Sequence, residues 1–167
     1  MIDTDPDILE TLYLRYYSGA VLYCTALCGS EHLALDIVAD AFVKAYLSLP
    51  NNVPSFQYWL LRVCKNLWID YCRKQKYLAS EEPLAGISDH VTPESRYIQS
   101  EERNALWKAI SSLSPTDREL VTLHYFSGLP LNEIAPLVGK SYDAVRQRMT
   151  RLRQKLRQEM EAQGYGK

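Results

Sequence analysis

Apolar residues recur every three or four positions along nearly the whole chain, and no stretch alternates persuasively with a period of two, so the pattern predicts an all-α fold. A first helix is predicted over residues 8–27, with Leu9, Leu12, Tyr13, Tyr16, Tyr17 and Ala20 on one face. Gly29 and Ser30 end it, and the serine supplies an N-cap for a second helix over residues 31–47. In that helix Ala34, Ile37, Val38, Ala41, Phe42 and Ala45 form the inward stripe, while Asp36, Asp40 and Val43 point elsewhere. Residues 48–55 carry two prolines and two asparagines and are predicted to be a loop. A third helix follows over residues 56–76, with Trp59, Leu60, Val63, Cys64, Leu67 and Tyr71 inside and a basic end at Arg73, Lys74 and Lys76.

From about residue 79 to 100 the periodicity dissolves among Pro83, Gly86, Ser88, Pro93 and several acids, which reads as a flexible interdomain linker. The expected organisation is therefore a three-helix domain over residues 1–78, a linker over 79–100 and a second helical domain over 101–163. Four short helices are predicted there. Ala105, Leu106, Ala109, Ile110 and Leu113 mark the first, and Ser114-Pro115-Thr116-Asp117 opens the second with a cap, a proline at the first helical position and an acid near the helix N-terminus. That second helix is expected to run through Leu120, Val121, Leu123 and Tyr125 to Ser127-Gly128. The third carries Leu131, Ile134, Ala135 and Val138 on one face, and a glycine turn at Gly139-Lys140-Ser141 leads into a long final helix ending near Met160.

Composition changes this picture mainly through the distribution of charge. The formal net charge is −1, yet residues 140–157 hold seven basic side chains against the single acid Asp143. A neutral total with one cationic end implies that part of the surface meets a polyanion. The opening residues carry Asp3, Asp5 and Asp7 where a signal peptide needs positive charge followed by an apolar run. No segment approaches the ~18–20 apolar residues that span a bilayer, so a soluble, cytoplasmic protein without membrane insertion is expected. The four cysteines fall inside helical patterns. Cys24-x3-Cys28-x3-His32 would place three metal ligands on one stripe, but structural zinc sites pair ligands across short loops and no fourth ligand stands nearby. Buried reduced thiols, with no metal and no cofactor, are the reading.

The decisive constellation is a short apolar helix, a glycine turn and an arginine-rich helix, the helix-turn-helix arrangement. Val145, Met149, Leu152, Leu156 and Met160 form one seam on the last helix. Arg146, Arg153 and Arg157 flank it on one side and Arg148, Arg151 and Lys155 on the other, as insertion between phosphates requires. Ser141, Tyr142, Asp143, Arg146 and Gln147 at its start would face base edges. Without the preceding helix and turn, a solvated surface helix or a basic helix lying on a membrane would be the better reading.

Here the chain resembles a known family. Leu113-Ser114-Pro115-Thr116-Asp117-Arg118-Glu119-Leu120, then Gly128, Glu133-Ile134-Ala135, Gly139, Val145, Arg148 and Arg151-Leu152-Arg153 resemble region 4 of sigma-70 factors, closest to the extracytoplasmic-function group. Ala34, Asp36-Ile37-Val38 and Phe42 resemble region 2.2, and Phe56, Trp59-Leu60, Asn66, Asp70 and Arg73-Lys74 resemble regions 2.3 and 2.4. The resemblance implies an alternative sigma factor that catalyses nothing itself. Asp36, Asp40 and Val43 would dock on the clamp helices of the polymerase largest subunit. Asn51, Asn52, Phe56, Tyr58, Arg62, Lys65, Asn66, Asp70, Arg73 and Lys74 would read and melt the promoter −10 element, bases being taken up on aromatic faces beside cations. The final helix, through Ser141, Tyr142, Asp143, Arg146, Gln147, Arg148 and Arg151, would bind the −35 element as duplex, and this domain would touch the flap of the second-largest subunit. An anti-sigma factor is a further implied partner.

The sequence departs from the family pattern at Leu35, Ala39 and Asp40 in region 2.2, at Leu131 and Pro136 in the helix before the turn, and at Ala144. Structural roles also stand beside the functional ones: Asp40 would pair with Lys44, Asn66 with Asp70, and Trp59 would belong to the core. A sigma-like regulator that binds DNA without engaging polymerase is the alternative function, and an interaction module held by an inhibitor is another. An enzyme would need a nucleophile, base and orienter in a recognised spacing, or a glycine-rich phosphate loop, and neither motif is present.

Overall fold

The computed structural model describes residues 6–48, 56–78 and 101–165, leaving aside the side chain of Arg103. The expectations for most of the 48–55 loop, with Asn51 and Asn52, and for a linker over 79–100 lie outside the described residues. All regular structure among the described residues is helical. The elements are α1 (Pro6–Cys28), α2 (Glu31–Ser48), α3 (Phe56–Leu78), α4 (Glu101–Ser111), α5 (Pro115–Val121), a π-helical turn (Thr122–Phe126), α6 (Leu131–Val138) and α7 (Tyr142–Ala162). The chain divides into two compact units, residues 1–89 and 90–167.

In the first unit α1, α2 and α3 pack against one another in all three pairings. Ser30 Oγ accepts from the Leu33 N–H at 3.2 Å and starts α2, whose six predicted stripe residues are all buried. The pattern in α1 stops short of what is observed. From Ala20 to Cys28 nearly every side chain is buried, because a segment held by two partner helices hides more than one face. Tyr13, by contrast, is 42% exposed, and so is Tyr71 of α3 at 37%, although the pattern places both inside. Leu61 is buried without having been predicted so.

Phe56 requires a correction. Expected on the DNA-facing surface, it is 1% exposed and sits among Tyr16, Phe42 and Trp59 at ring distances of 5.7, 6.2 and 5.9 Å. It opens α3 at the point where all three helices meet, so burying an aromatic ring there gains more than exposing it.

The cysteine stripe is also corrected. α1 ends at Cys28, and His32 lies exposed on α2 beyond the turn, so the three candidate ligands do not share a helix. The Cys24 thiol is held well above its ordinary value, first by its hydrogen bond with Cys64 and then by burial, while burial raises Cys28 and Cys72. Among the described residues no three His, Cys, Asp or Glu side chains converge as a metal site.

The second unit is assembled from shorter pieces. Ser114 caps α5, accepting from the Asp117 N–H at 3.3 Å, with Pro115 in the first turn. The predicted continuation to Ser127 is helical but widens at Thr122–Phe126 into a π turn. Thr122 Oγ1 donates to the Arg118 carbonyl at 2.6 Å, and the Ser127 N–H reaches five residues back to Thr122 at 3.1 Å. α6 ends where Gly139 adopts φ +72°. The Lys140 N–H bonds Ala135 at 3.0 Å and the Gly139 N–H bonds Pro136 at 3.3 Å, a Schellman closure. A Cβ at Gly139 would meet nothing within 4 Å, so the glycine answers to its dihedral and not to crowding. Pro136 lies in the second turn of α6 and faces solvent, while Ile134, Ala135 and Leu137 carry the packing.

Candidate nucleic-acid interface

α7 is built as an amphipathic rod. Ser141 caps it, accepting from the Ala144 N–H at 3.2 Å, and Val145, Met149, Leu152 and Leu156 are buried along its seam. α4, α5 and α6 hold that seam. At about 100° per residue the arc opposite the seam carries Asp143, Gln147, Thr150, Arg151 and Gln154. All five are exposed.

The two flanks of α7 are each tied back by one arginine. On one side Arg148 makes a two-point fork with Asp117 of α5, Nε donating to Oδ1 at 2.7 Å and Nη2 to Oδ2 at 2.5 Å. The Asp117 side chain is 5% exposed and that of Arg148 48%. The hydrogen bond from Arg148 holds the Asp117 carboxyl below its ordinary value, with Ser114 helping and burial opposing, and the same bond raises the Arg148 guanidinium. On the other side Arg153 Nε donates to the Tyr125 hydroxyl at 3.0 Å, and its Nη2 lies 3.5 Å from His124 Nε2. The π turn presents both rings to that arginine.

Of the residues expected to meet duplex DNA, Ser141, Tyr142, Asp143, Arg146, Gln147 and Arg151 are exposed at the start and outer face of α7. Arg146 lies 3.9 Å from Asp143, a loose surface pair. Arg148 is exposed too, but on the flank beside α5, where Asp117 holds two of its five N–H donors. A cleft of about 450 Å³ opens between the start of α5 and α7, with Ser114, Thr116, Lys140, Gln147, Arg148 and Arg151 on its walls. Asp117, Thr116 and Lys140 were not singled out for this site in the sequence. A contact across 31 positions leaves no periodic trace, although an acid in the first turn of α5 was visible.

In the first unit α3 gathers Arg62, Asn66, Asp70 and Arg73 within about 80° of arc. All are exposed, on the side away from buried Leu60 and Cys64. Asp70 lies 3.8 Å from Arg73. Tyr58 and Lys65 are half-buried, and Lys74 is exposed further round. On α2, Asp36, Asp40 and Val43 share an exposed face within about 60° of arc with Leu47, which is 74% exposed; Tyr46 beside it is 62% exposed. Both fall off the predicted buried stripe, which was the available signal that they face outward.

Comparison with known proteins places both units. The model of sigma-70 region 2 matches residues 12–77, and that of sigma-70 region 4 matches residues 103–156. The extracytoplasmic-function RNA polymerase sigma factor SigW of Bacillus subtilis is 31% identical, the alignment covering 93% of this chain and 90% of SigW. SigM of the same organism is 26% identical over 89% of this chain and 93% of its own. Among solved structures, the sigma factor RpoE of Bartonella quintana, crystallised with the anti-sigma factor NepR, shares the fold with a TM-score of 0.71 at 20% identity, covering 92% of this chain and 97% of its own. No described helix is long and apolar enough to cross a membrane.

Proposed function

The chain belongs to the sigma-70 family, in the extracytoplasmic-function group, and from this premise, an alternative sigma factor directing transcription, we propose how its surfaces divide the work. It acts by binding free energy, with no chemistry of its own, in the cytoplasm where core RNA polymerase and DNA meet. The outer face of α7, with Gln147 and Arg151 at its centre and Lys140 beside it, binds the −35 element as duplex. The exposed strip of α3 through Arg62, Asn66 and Arg73 contacts the −10 element. The α2 face of Asp36, Asp40 and Val43, extended by Leu47, docks on the clamp helices of the largest polymerase subunit. Charged residues followed by exposed apolar ones give that face the mixed character of a protein interface. The second unit also touches the flap of the second-largest subunit, and an anti-sigma factor is a further partner.

The observation that carries the reading is the exposed outer face of α7, flanked by arginines and set behind a glycine-closed helix, in a chain whose other unit matches sigma-70 region 2. The test is run-off transcription on fragments of the source genome with core polymerase, with and without the protein. Protein-dependent transcripts are expected, lost in Arg151→Ala and weakened in Asp40→Lys. Absence of transcripts together with failure to co-purify with core polymerase would overturn the reading.

A further inference from the structure

Arg148 stands on the flank of α7, in the same cleft as Gln147 and Arg151, yet it does not behave as a solvated cation. Its fork with Asp117 fixes both the position and the plane of the guanidinium. Asp117 is itself fixed, because its backbone N–H is bonded to Ser114 and its side chain is almost wholly covered. A guanidinium has five N–H donors, and the fork uses one on Nε and one on Nη2. The remaining donors lie on the other edge of the group. Half of the side chain is open to solvent, and it lines the same cleft as Gln147 and Arg151. The charge, however, is cancelled. An ion pair with a carboxylate at hydrogen-bond distance carries no net charge toward phosphates, so it releases no counterion when DNA binds.

We propose that Asp117 is a specificity-determining positioning residue: it neutralises Arg148 and aims its free edge, so that this arginine reads a base edge instead of tracking phosphates. A fixed pair of guanidinium donors fits the O6 and N7 acceptors of guanine in the major groove. The inference rests on the reading of α7 as the duplex-binding helix. It makes the reading of one base by Arg148 depend on a residue of α5, outside the recognition helix.

The test uses the full chain and duplexes that it selects from a randomised pool. Affinity for a selected and a scrambled duplex is measured across a salt series. For Asp117→Asn, the slope of log K against log salt on the scrambled duplex should steepen by about 0.9, because one more cation becomes available to phosphate. Discrimination between the two duplexes should fall about tenfold. Arg148→Gln should lose the same discrimination, and the double variant no more than either single. Asp117→Glu, which keeps the charge, should recover part of it. Thermal melts confirm that each variant is folded at the assay temperature, and the exposed Arg148→Gln carries the test should Asp117→Asn melt below it. Full discrimination retained in Asp117→Asn and Arg148→Gln overturns the inference. Arg151→Ala separates it from its premise, since its slope should flatten by about 0.9. If that slope is unchanged, or the wild type enriches no sequence, the duplex-binding reading itself fails and the inference falls with it.

Discussion

The two units solve the same problem, holding a polar face toward a partner, with different materials. The first uses helices of 23, 18 and 23 residues around a largely aliphatic core with aromatic rings and thiols set into it, and no charged side chain among its described residues is buried. The second begins with helices of 11, 7 and 8 residues before the 21-residue α7. Helices shorter than about 12–15 residues are marginal alone. This unit accordingly relies on caps, a left-handed glycine and buried charge, with Asp117, Arg118 and Glu119 all below 9% exposure. Long helices set their faces by periodicity. Short ones must be pinned at single points, as the Asp117–Arg148 fork pins α7 to α5.

The largest expected effect tests the first half of that contrast. Phe56→Ala removes a ring buried against three others and should cost about 3–5 kcal/mol in urea denaturation, whereas Phe56→Leu should cost well under half as much. Loss of promoter opening in Phe56→Ala with unchanged stability would mean that the ring works at the surface after all.

Next comes the fork. Asp117→Asn should cost about 1–2 kcal/mol at neutral pH, a charge-assisted contact discounted for the half-exposed arginine. The sign with pH is fixed by the lowered Asp117 value. Its contribution is complete above the ordinary aspartate value of about 3.9 and is lost as the pH falls through the lower value held in the folded chain. The stability gap between wild type and Asp117→Asn should therefore close in acid. A gap constant from pH 7 to pH 2 would show that the carboxylate charge is not what holds Arg148.

Gly139→Ala tests the glycine closure. With open space around the position, only the φ of +72° resists a side chain, so the cost should be about 1–2 kcal/mol, with Gly139→Asn costing less. Equal stability of the alanine variant would show that the turn relaxes without loss.

How much of this was legible in the sequence follows from the same contrast. All six stripe residues of α2 and the α7 seam could be read from spacing alone, as could Ser30, Ser114 and Gly139, because those signals are local. Phe56 escaped because it begins its helix, where one turn of pattern cannot tell inward from outward. The π turn escaped because the bond from Thr122 to the Arg118 carbonyl leaves no mark on the spacing of the apolar residues around it. The fork escaped because its partners stand far apart in the chain, and so Arg148 read as one more cation on a basic helix.

The smallest effect sharpens the comparison most, because it makes the same change in both units. Ser30→Ala and Ser114→Ala each remove one cap bond, at 3.2 and 3.3 Å, and caps of this kind contribute about 1 kcal/mol. In α2 the loss frays one turn of an 18-residue helix, and the buried stripe from Ala34 onward stays packed, so the effect should remain at or below that value. In α5 the first turn contains Asp117, so fraying it also loosens the fork that holds α7. Ser114→Ala should thus cost more than Ser30→Ala. Its effect should also shrink in the Arg148→Gln background, giving a coupling of at least about 0.5 kcal/mol in a double-mutant cycle by urea denaturation. Ser30→Ala should be additive with Arg148→Gln within about 0.3 kcal/mol. Additivity in both cycles would mean that the cap and the fork act independently, and that the short helices of the second unit are held no differently from the long ones of the first.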